Sequence, residues 1–460
     1  MNQEKIIELA EKAMDFSEKS ILKLNWGESY KYWKALKFIA DRMQSIPDKE
    51  TAEMRRDIVN QSEIFLDRVV AFPLPASVTE KLRGKNVYMP MLMNNRWHFT
   101  QMEILKDCCL FGYLLSQITG SESYFYFLNT EEIDPEILKF VPGLNTIYKE
   151  HPTIDDQFKF LYENYQKMDI LMLYGIYFPA ADYVREYKEL RPDGIIFTEM
   201  DFNINYYKNL TNPKNNLSIE KTLYEAMKQI DVCTNSTNFS KDFLNADPPT
   251  PKPVYYVTNG LMRPENPPDL PRENVILTVG RIGSEQKLNE LLLAAFQPIS
   301  GRFPDWKLKL IGPVDDRIKP WLDDYFTKYP EMRKKVIIPD RVFQKDELYE
   351  EYAKAKIFCL TSPSESIPNV YAEALFFGNF MVFADSIEEA PFMTAEGSIG
   401  EIYKQPERDS LIEKLVKAIL YTQNGLPEKH LKRCREHFDR HFDYAKISKR
   451  IAYHLSEIEK

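Results

Sequence analysis

The chain has no run of eighteen uncharged apolar residues, so no stretch of it reads as a membrane-spanning helix. Its opening, "MNQEKIIELAEKAM", is charged throughout and lacks the apolar core of a signal peptide, which predicts a cytoplasmic protein. Cysteine is scarce. Cys108, Cys109, Cys233, Cys359 and Cys434 form an odd set without metal-type spacing, which argues against a disulfide framework or a zinc site and predicts reduced thiols in cores. Positive charge is also short: a formal charge of −9 argues against a general nucleic-acid binder, which needs a basic surface to displace counterions from phosphates. No Gly-x-Gly-x-x-Gly follows a predicted strand, so a nicotinamide-dependent dehydrogenase ranks low. The 29 prolines are scattered rather than gathered into low-complexity tracts, and 44% of residues are hydrophobic, so the chain is globular rather than largely disordered.

With 460 residues there is length for two domains, each with its own core. Residues 1–70 read as a helical extension, because "EKIIELAEKAMDF" and "SYKYWKALKFIADRM" carry apolar positions at spacings of three and four. From 71 to 262 the pattern changes. Short β-branched and aromatic runs ("KNVYMPML", "SYFYFLN", "MDILMLYG", "DGIIFTEMD", "IDVCTNS", "PVYYVTNG") alternate with helical segments, the signature of βαβ units and a parallel sheet. The proline-dense "GLMRPENPPDLPREN", residues 260–274, reads as a linker with its hinge at 263–273. The alternation then restarts over 274–425 with "NVILTVG", "WKLKLIG", "KVIIPD", "KIFCLTS" and "FMVFAD". Two doubly wound α/β halves of this kind predict a ligand cleft between them, lined by the carboxyl ends of strands. Residues 426–460 are helical and locally basic; they are expected to pack on the body, with a return to the N-terminal domain as one route.

The stretch "TSPSESIPNVYAEALFFGNF", residues 361–380, is the most informative. Pro368 in the first turn and Gly378 past the end punctuate a predicted helix. Its apolar residues cover the whole circumference, as in a buried helix, and Glu373 is its only charged side chain. An unpaired buried carboxylate costs several kcal/mol, so Glu373 needs partners. A neighbouring arginine or backbone groups would serve; so would the vicinal hydroxyls of a ribose, which suit a two-oxygen acceptor. Glu365 lies eight residues earlier, in the strand-to-helix loop where such folds bind ligands, beside amides at the helix start that would face an anion. Upstream, "TVGRIGSEQKLNELLLAAF" ends a strand at Gly280 and follows it with Arg281 and Lys287, two cations able to neutralise a diphosphate without metal.

In order and spacing, "TVGRIGSEQKLNELLLAAF", "WKLKLIG", "SPSESIPNVYAEALFFGNF" and "EEAPF" resemble the C-terminal half of retaining GT-B glycosyltransferases, the large family that includes sucrose and glycogen synthases and many bacterial sugar transferases. The resemblance covers about 275–400; across 70–260 only the βα order agrees. It implies a GT-B fold of two Rossmann-like domains and a nucleotide-sugar donor, UDP-sugar by family habit ahead of GDP-sugar, with UDP-GlcNAc as one guess. The family's E-x7-E falls on Glu365 and Glu373 and its diphosphate-binding pair on Arg281 and Lys287. Glu373 would then bind the ribose, Glu365 would lie near the donor sugar, and Arg281 with Lys287 would stabilise the departing diphosphate. Gly280, Ser366, Ile367, Pro368, Asn369 and Val370 would line the donor site. No cofactor is implied. No metal is expected either, and the absence of any Asp-x-Asp, the metal motif of the other large glycosyltransferase fold, fits that expectation.

Three positions depart from the family pattern. "MNNRWHFTQ", residues 93–101, stands where a glycine-rich loop is common, and "IIFTEMD" offers Glu199, Met200 and Asp201 where many relatives carry a histidine. His98 and Asp201, at predicted strand ends, are the candidates for the acceptor side. The family's glycine after the lysine is replaced by Leu288, which the helix start is expected to tolerate. The acceptor implied is a hydroxyl of a protein or a growing glycan, and the N-terminal helices suit docking of such an acceptor or of a partner subunit. A non-catalytic subunit that binds glycosylated protein and assists a partner enzyme is the alternative; retention of Arg281, Lys287, Glu365 and Glu373 together argues against it.

Overall fold

The computed structural model describes residues 3–13, 24–43, 49–92, 101–127, 133–148, 153–175, 179–200, 224–246, 250–339 and 344–458. The chain divides into two compact units, Met1–Asn259 with Tyr444–Lys460, and Gly260–Asp443. Each is built on a parallel sheet, as the alternating strand and helix patterns require.

In the first unit seven strands run in the order β3-β2-β1-β4-β5-β6-β7: β1 Val87–Pro90, β2 Ser123–Phe127, β3 Asn145–Tyr148, β4 Ile170–Tyr174, β5 Ile195–Glu199, β6 Val232–Asn235 and β7 Val254–Tyr256. The inner strands are buried on both faces, which is why they read as unbroken apolar runs rather than as alternation. The helical N-terminal segment belongs to this same unit. Its Trp26–Arg42 helix starts at a capping box of Asn25 and Glu28, and it packs along the Lys49–Val70 helix. Arg55 donates to the carbonyls of Thr250 and Asn245 at 2.8 and 3.0 Å, and the Tyr255 hydroxyl donates to Asp41 at 2.7 Å. These bonds tie the segment to the region of β7.

The second unit holds six parallel strands in the order β10-β9-β8-β11-β12-β13: β8 Glu273–Val279, β9 Lys307–Ile311, β10 Val336–Ile337, β11 Ala355–Cys359, β12 Phe380–Ala384 and β13 Gly400–Tyr403. In both sheets the strand order reverses at one place, between β1 and β4 and between β8 and β11. Such a reversal splays the following loops apart at the carboxyl end of the sheet and leaves room there for a ligand.

The C-terminal residues 426–460 do not behave as one piece. The Glu428–His441 helix lies in the second unit, where Cys434 and Phe438 join its core, while the Tyr444–Ser456 helix lies in the first, where Arg450 pairs with Glu63 and Asp67. The start of the proline-rich stretch is likewise part of the second unit: the Leu261 amide donates to the Phe442 carbonyl at 2.9 Å, and Arg263 pairs with Asp439 and Asp443 at 2.7 Å. All five cysteines are buried and none is in a disulfide. Among the described residues no helix is long and apolar enough to cross a membrane.

Candidate functional site

The expected donor-site residues all lie in the second unit, on the loops after β8 and β11 that flank its strand reversal and in the helix Asn369–Phe376 that follows the second loop. Gly280 follows β8 with φ +147°, a backbone favourable to glycine alone, and its amide donates to the Ile311 carbonyl at 2.9 Å. A β-carbon on Gly280 would stand in ordinary contact, 3.4 Å from Lys287 Cε, so it is the backbone conformation rather than space that calls for glycine here. Gly312, after β9, comes closer still: a β-carbon there would lie 2.0 Å from the Gly280 carbonyl oxygen.

Lys287 reaches across the reversal and forms an ion pair with Glu365 from the loop after β11. Both side chains are largely buried, at 14% and 8% exposure, so water screens this pair poorly. Thr361, at the end of the same strand, fixes the lysine's own backbone by donating its hydroxyl to the Lys287 and Leu288 carbonyls at 2.8 and 3.1 Å. Arg281 is exposed and donates to Gln286 Oε1 at 3.0 Å; Gln286 Nε2 in turn donates to the Ser364 carbonyl at 3.4 Å. Its charge also reaches Asp315, whose carboxyl is held below the usual range chiefly by hydrogen bonds from Arg317, with Arg281 contributing.

The helix read around Glu373 runs Asn369–Phe376 and is buried as its wheel requires. Pro368 sits one residue before the helix, at the N-cap, rather than in its first turn. Having no amide hydrogen, Pro368 can give no hydrogen bond to a ligand, so the residues Ile367 to Val370 carry three amide hydrogens rather than four. No side chain caps this helix start. Ser366, Pro368, Asn369 and Val370 are half-buried, and Ile367 is buried.

Glu373, 3% exposed, is paired neither with an arginine nor with the backbone but with Lys345. Lys345 opens the Lys345–Lys354 helix, which leads into β11. Tyr349 and Tyr352 of that helix also face the carboxylate. Burial and then the Glu373 charge push both phenols above their ordinary range. Among the described residues, Ser284 Oγ, Ser362 Oγ, Asn369 Oδ1 and Glu373 Oε2 are buried polar atoms without a direct hydrogen-bond partner within the ordinary distance. Buried polar atoms are nearly always satisfied, so these atoms beside two ion pairs are open to a polar ligand.

Lys345, Gln286 and Thr361 escaped the sequence reading. Each works through contacts made to residues distant in the chain, and a Lys, Gln or Thr at a helix start or strand end carries no spacing signal of its own. His98 and Asp201, the acceptor-side candidates, lie outside the described residues.

Residues 273–421 match the family model described as "Glycosyl transferases group 1". An uncharacterized glycosyltransferase of Haemophilus influenzae is 27% identical over 134 residues, covering 27% of this chain and 35% of that protein, so the match spans about a third of the relative. Among solved structures, HepE of Anabaena in complex with UDP superposes with a TM-score of 0.59 at 13% identity, over 81% of this chain and 99% of that one. A sucrose-phosphate synthase from Thermosynechococcus elongatus gives a TM-score of 0.58 at 14% identity, over 79% and 96%. At such identities the likeness is one of fold. The chain therefore has a GT-B fold with an N-terminal helical region, and the part of its second unit that carries the Lys287–Glu365 and Lys345–Glu373 pairs matches the glycosyl transferases group 1 family.

Proposed function

We propose that this protein is a retaining, metal-independent glycosyltransferase that moves a sugar from a nucleotide-sugar, a UDP-sugar in preference to a GDP-sugar, to a hydroxyl of a protein or glycan. The observation that carries the reading is the Lys287–Glu365 pair, with Arg281 beside it, at the strand reversal of the unit that matches the family. A diphosphate leaving group gains negative charge as its bond to the sugar breaks, and fixed cations at that place lower the barrier most. Lys287 is such a cation, held by Glu365 and by its pinned backbone. In this reading Glu365 accepts from donor-sugar hydroxyls, and Glu373 from the ribose.

In the proposed reaction the bond between the anomeric carbon and the phosphate oxygen breaks. The acceptor oxygen forms its bond on the same face, and its proton passes to the departing phosphate. No carboxylate nucleophile is needed, unlike in two-carboxylate glycoside hydrolases. The preference for UDP draws on family habit and on the HepE neighbour having been solved with UDP.

The test is a screen of purified protein against nucleotide-sugars for donor hydrolysis, which requires no knowledge of the acceptor, together with thermal shift by UDP and GDP. Release of nucleoside diphosphate from one donor, with stabilisation by the matching nucleotide, is expected. Absence of both would leave the non-catalytic reading in its place.

A further inference from the structure

The Glu373 carboxylate has an occupant of its own. Lys345 Nζ is bonded to Oε1, while Oε2 is buried on the side that Tyr352 faces. The carboxylate side chain is 4% exposed and Lys345 is 13% exposed. Tyr349 and Tyr352, the other groups facing Glu373, are buried ring side chains, and the Tyr352 hydroxyl lies against the carboxylate. Of the three, only the lysine ends in a flexible stem that can swing into water without unpacking the core.

We propose that Lys345 is a specificity-determining residue: it fills the ribose-binding position at Glu373 in the ligand-free protein, so that a ribonucleotide binds by exchange, its hydroxyls taking the carboxylate as the ammonium leaves. The inference rests on Glu373 being the ribose acceptor. Its consequence is thermodynamic. A ligand with vicinal hydroxyls must break the Lys345–Glu373 pair before it gains its own bonds, whereas one without them leaves the pair intact. Selectivity for ribose is therefore the bonds gained at Glu373 less the pair given up, and the lysine lowers it.

The experiment compares UDP with 2′,3′-dideoxyuridine diphosphate by calorimetry on the full-length protein, and reads the ratio of their dissociation constants. In Lys345→Met the ribose hydroxyls meet a carboxylate with no competitor, and the preference for UDP should rise by about tenfold. Lys345→Arg keeps a cation and should stay near the parent ratio. Tyr352→Phe should do the same. Because the Met variant leaves Glu373 without its counter-charge, Lys345→Gln, which retains a neutral donor, serves as the second variant if the first fails to fold, with a smaller rise.

A ratio unchanged or lowered in the Met and Gln variants overturns the role of Lys345. The ribose reading itself still stands in that case if Glu373→Gln abolishes the parent's preference for UDP. A rise in Tyr352→Phe but not in the lysine variants assigns the role to the phenol and overturns the proposal. A parent that binds neither nucleotide overturns both the inference and the function on which it rests.

Discussion

Lys287 and Glu365, 78 residues apart in the chain, form an ion pair where β8 and β11 end side by side. The pair fixes the position of the ammonium before any ligand arrives, and a preorganised charge acts on the transition state more than on the ground state. Lys287→Ala should therefore lower turnover by about a hundred- to a thousandfold while weakening UDP binding by less than about tenfold. Steady-state donor hydrolysis and calorimetry on the same preparation check this. A loss of affinity with turnover unchanged would make Lys287 a binding residue only.

Glu373 carries a second prediction. With the ribose on this carboxylate, Glu373→Ala removes a charged acceptor, and nucleotide affinity should fall by about ten- to a hundredfold. The variant also strands Lys345 without its partner, so the melting temperature of the free protein should be measured alongside to separate folding from binding. Parent-like nucleotide affinity in the Ala variant would show that the ribose is held elsewhere.

Leu288 takes the place of the family's glycine and adopts φ +44°, ψ +43°, the left-handed conformation that costs a residue with a β-carbon about 1–2 kcal/mol. The sequence led us to expect tolerance, and the Asn289–Arg302 helix does form directly after it. Thr361, bonded to the Lys287 and Leu288 carbonyls, helps impose the conformation. Leu288→Gly should be neutral to stabilising by up to about 1 kcal/mol, the relief of strain being offset by greater freedom of the unfolded chain and by lost packing. Leu288→Val places a β-branched residue at positive φ and should lie at least about 2 kcal/mol below the glycine variant. Denaturant melts of the two variants give the difference directly.

The sheets are legible where burial makes strands into unbroken apolar runs, which holds for nearly every strand of both units. β3 was missed because "NTIY" is a half-exposed edge strand with no apolar run, and β13 because "GEIY" is short. Glu373 could be found because one charge in an apolar helix demands a partner, yet which partner was beyond the sequence. Lys345 stands 28 residues earlier, and only the three-dimensional packing of its helix brings it to the carboxylate. The division of the C-terminal helices was equally hidden: it depends on Arg263 meeting Asp443 and on Arg450 meeting Glu63, contacts 180 and 387 residues apart.

Acid should loosen the second unit through its histidines. His430 is fully buried, with Nε2 3.1 Å from the Gly378 carbonyl, and burial lowers its pKa from 6.5 to about 4; burial lowers His437 to about 4 as well. Between these values the unfolded chain takes up protons that the folded one refuses, so stability falls as pH falls. The contribution is fully present above about pH 6.5 and is lost progressively down to about pH 4, at roughly 3 kcal/mol for each group. Melting temperature should thus decline steadily from pH 7 to pH 4.5. His430→Gln, which keeps a donor for Gly378 but cannot titrate in this range, should make that decline shallower. An unchanged slope in the Gln variant would assign the acid sensitivity to other groups.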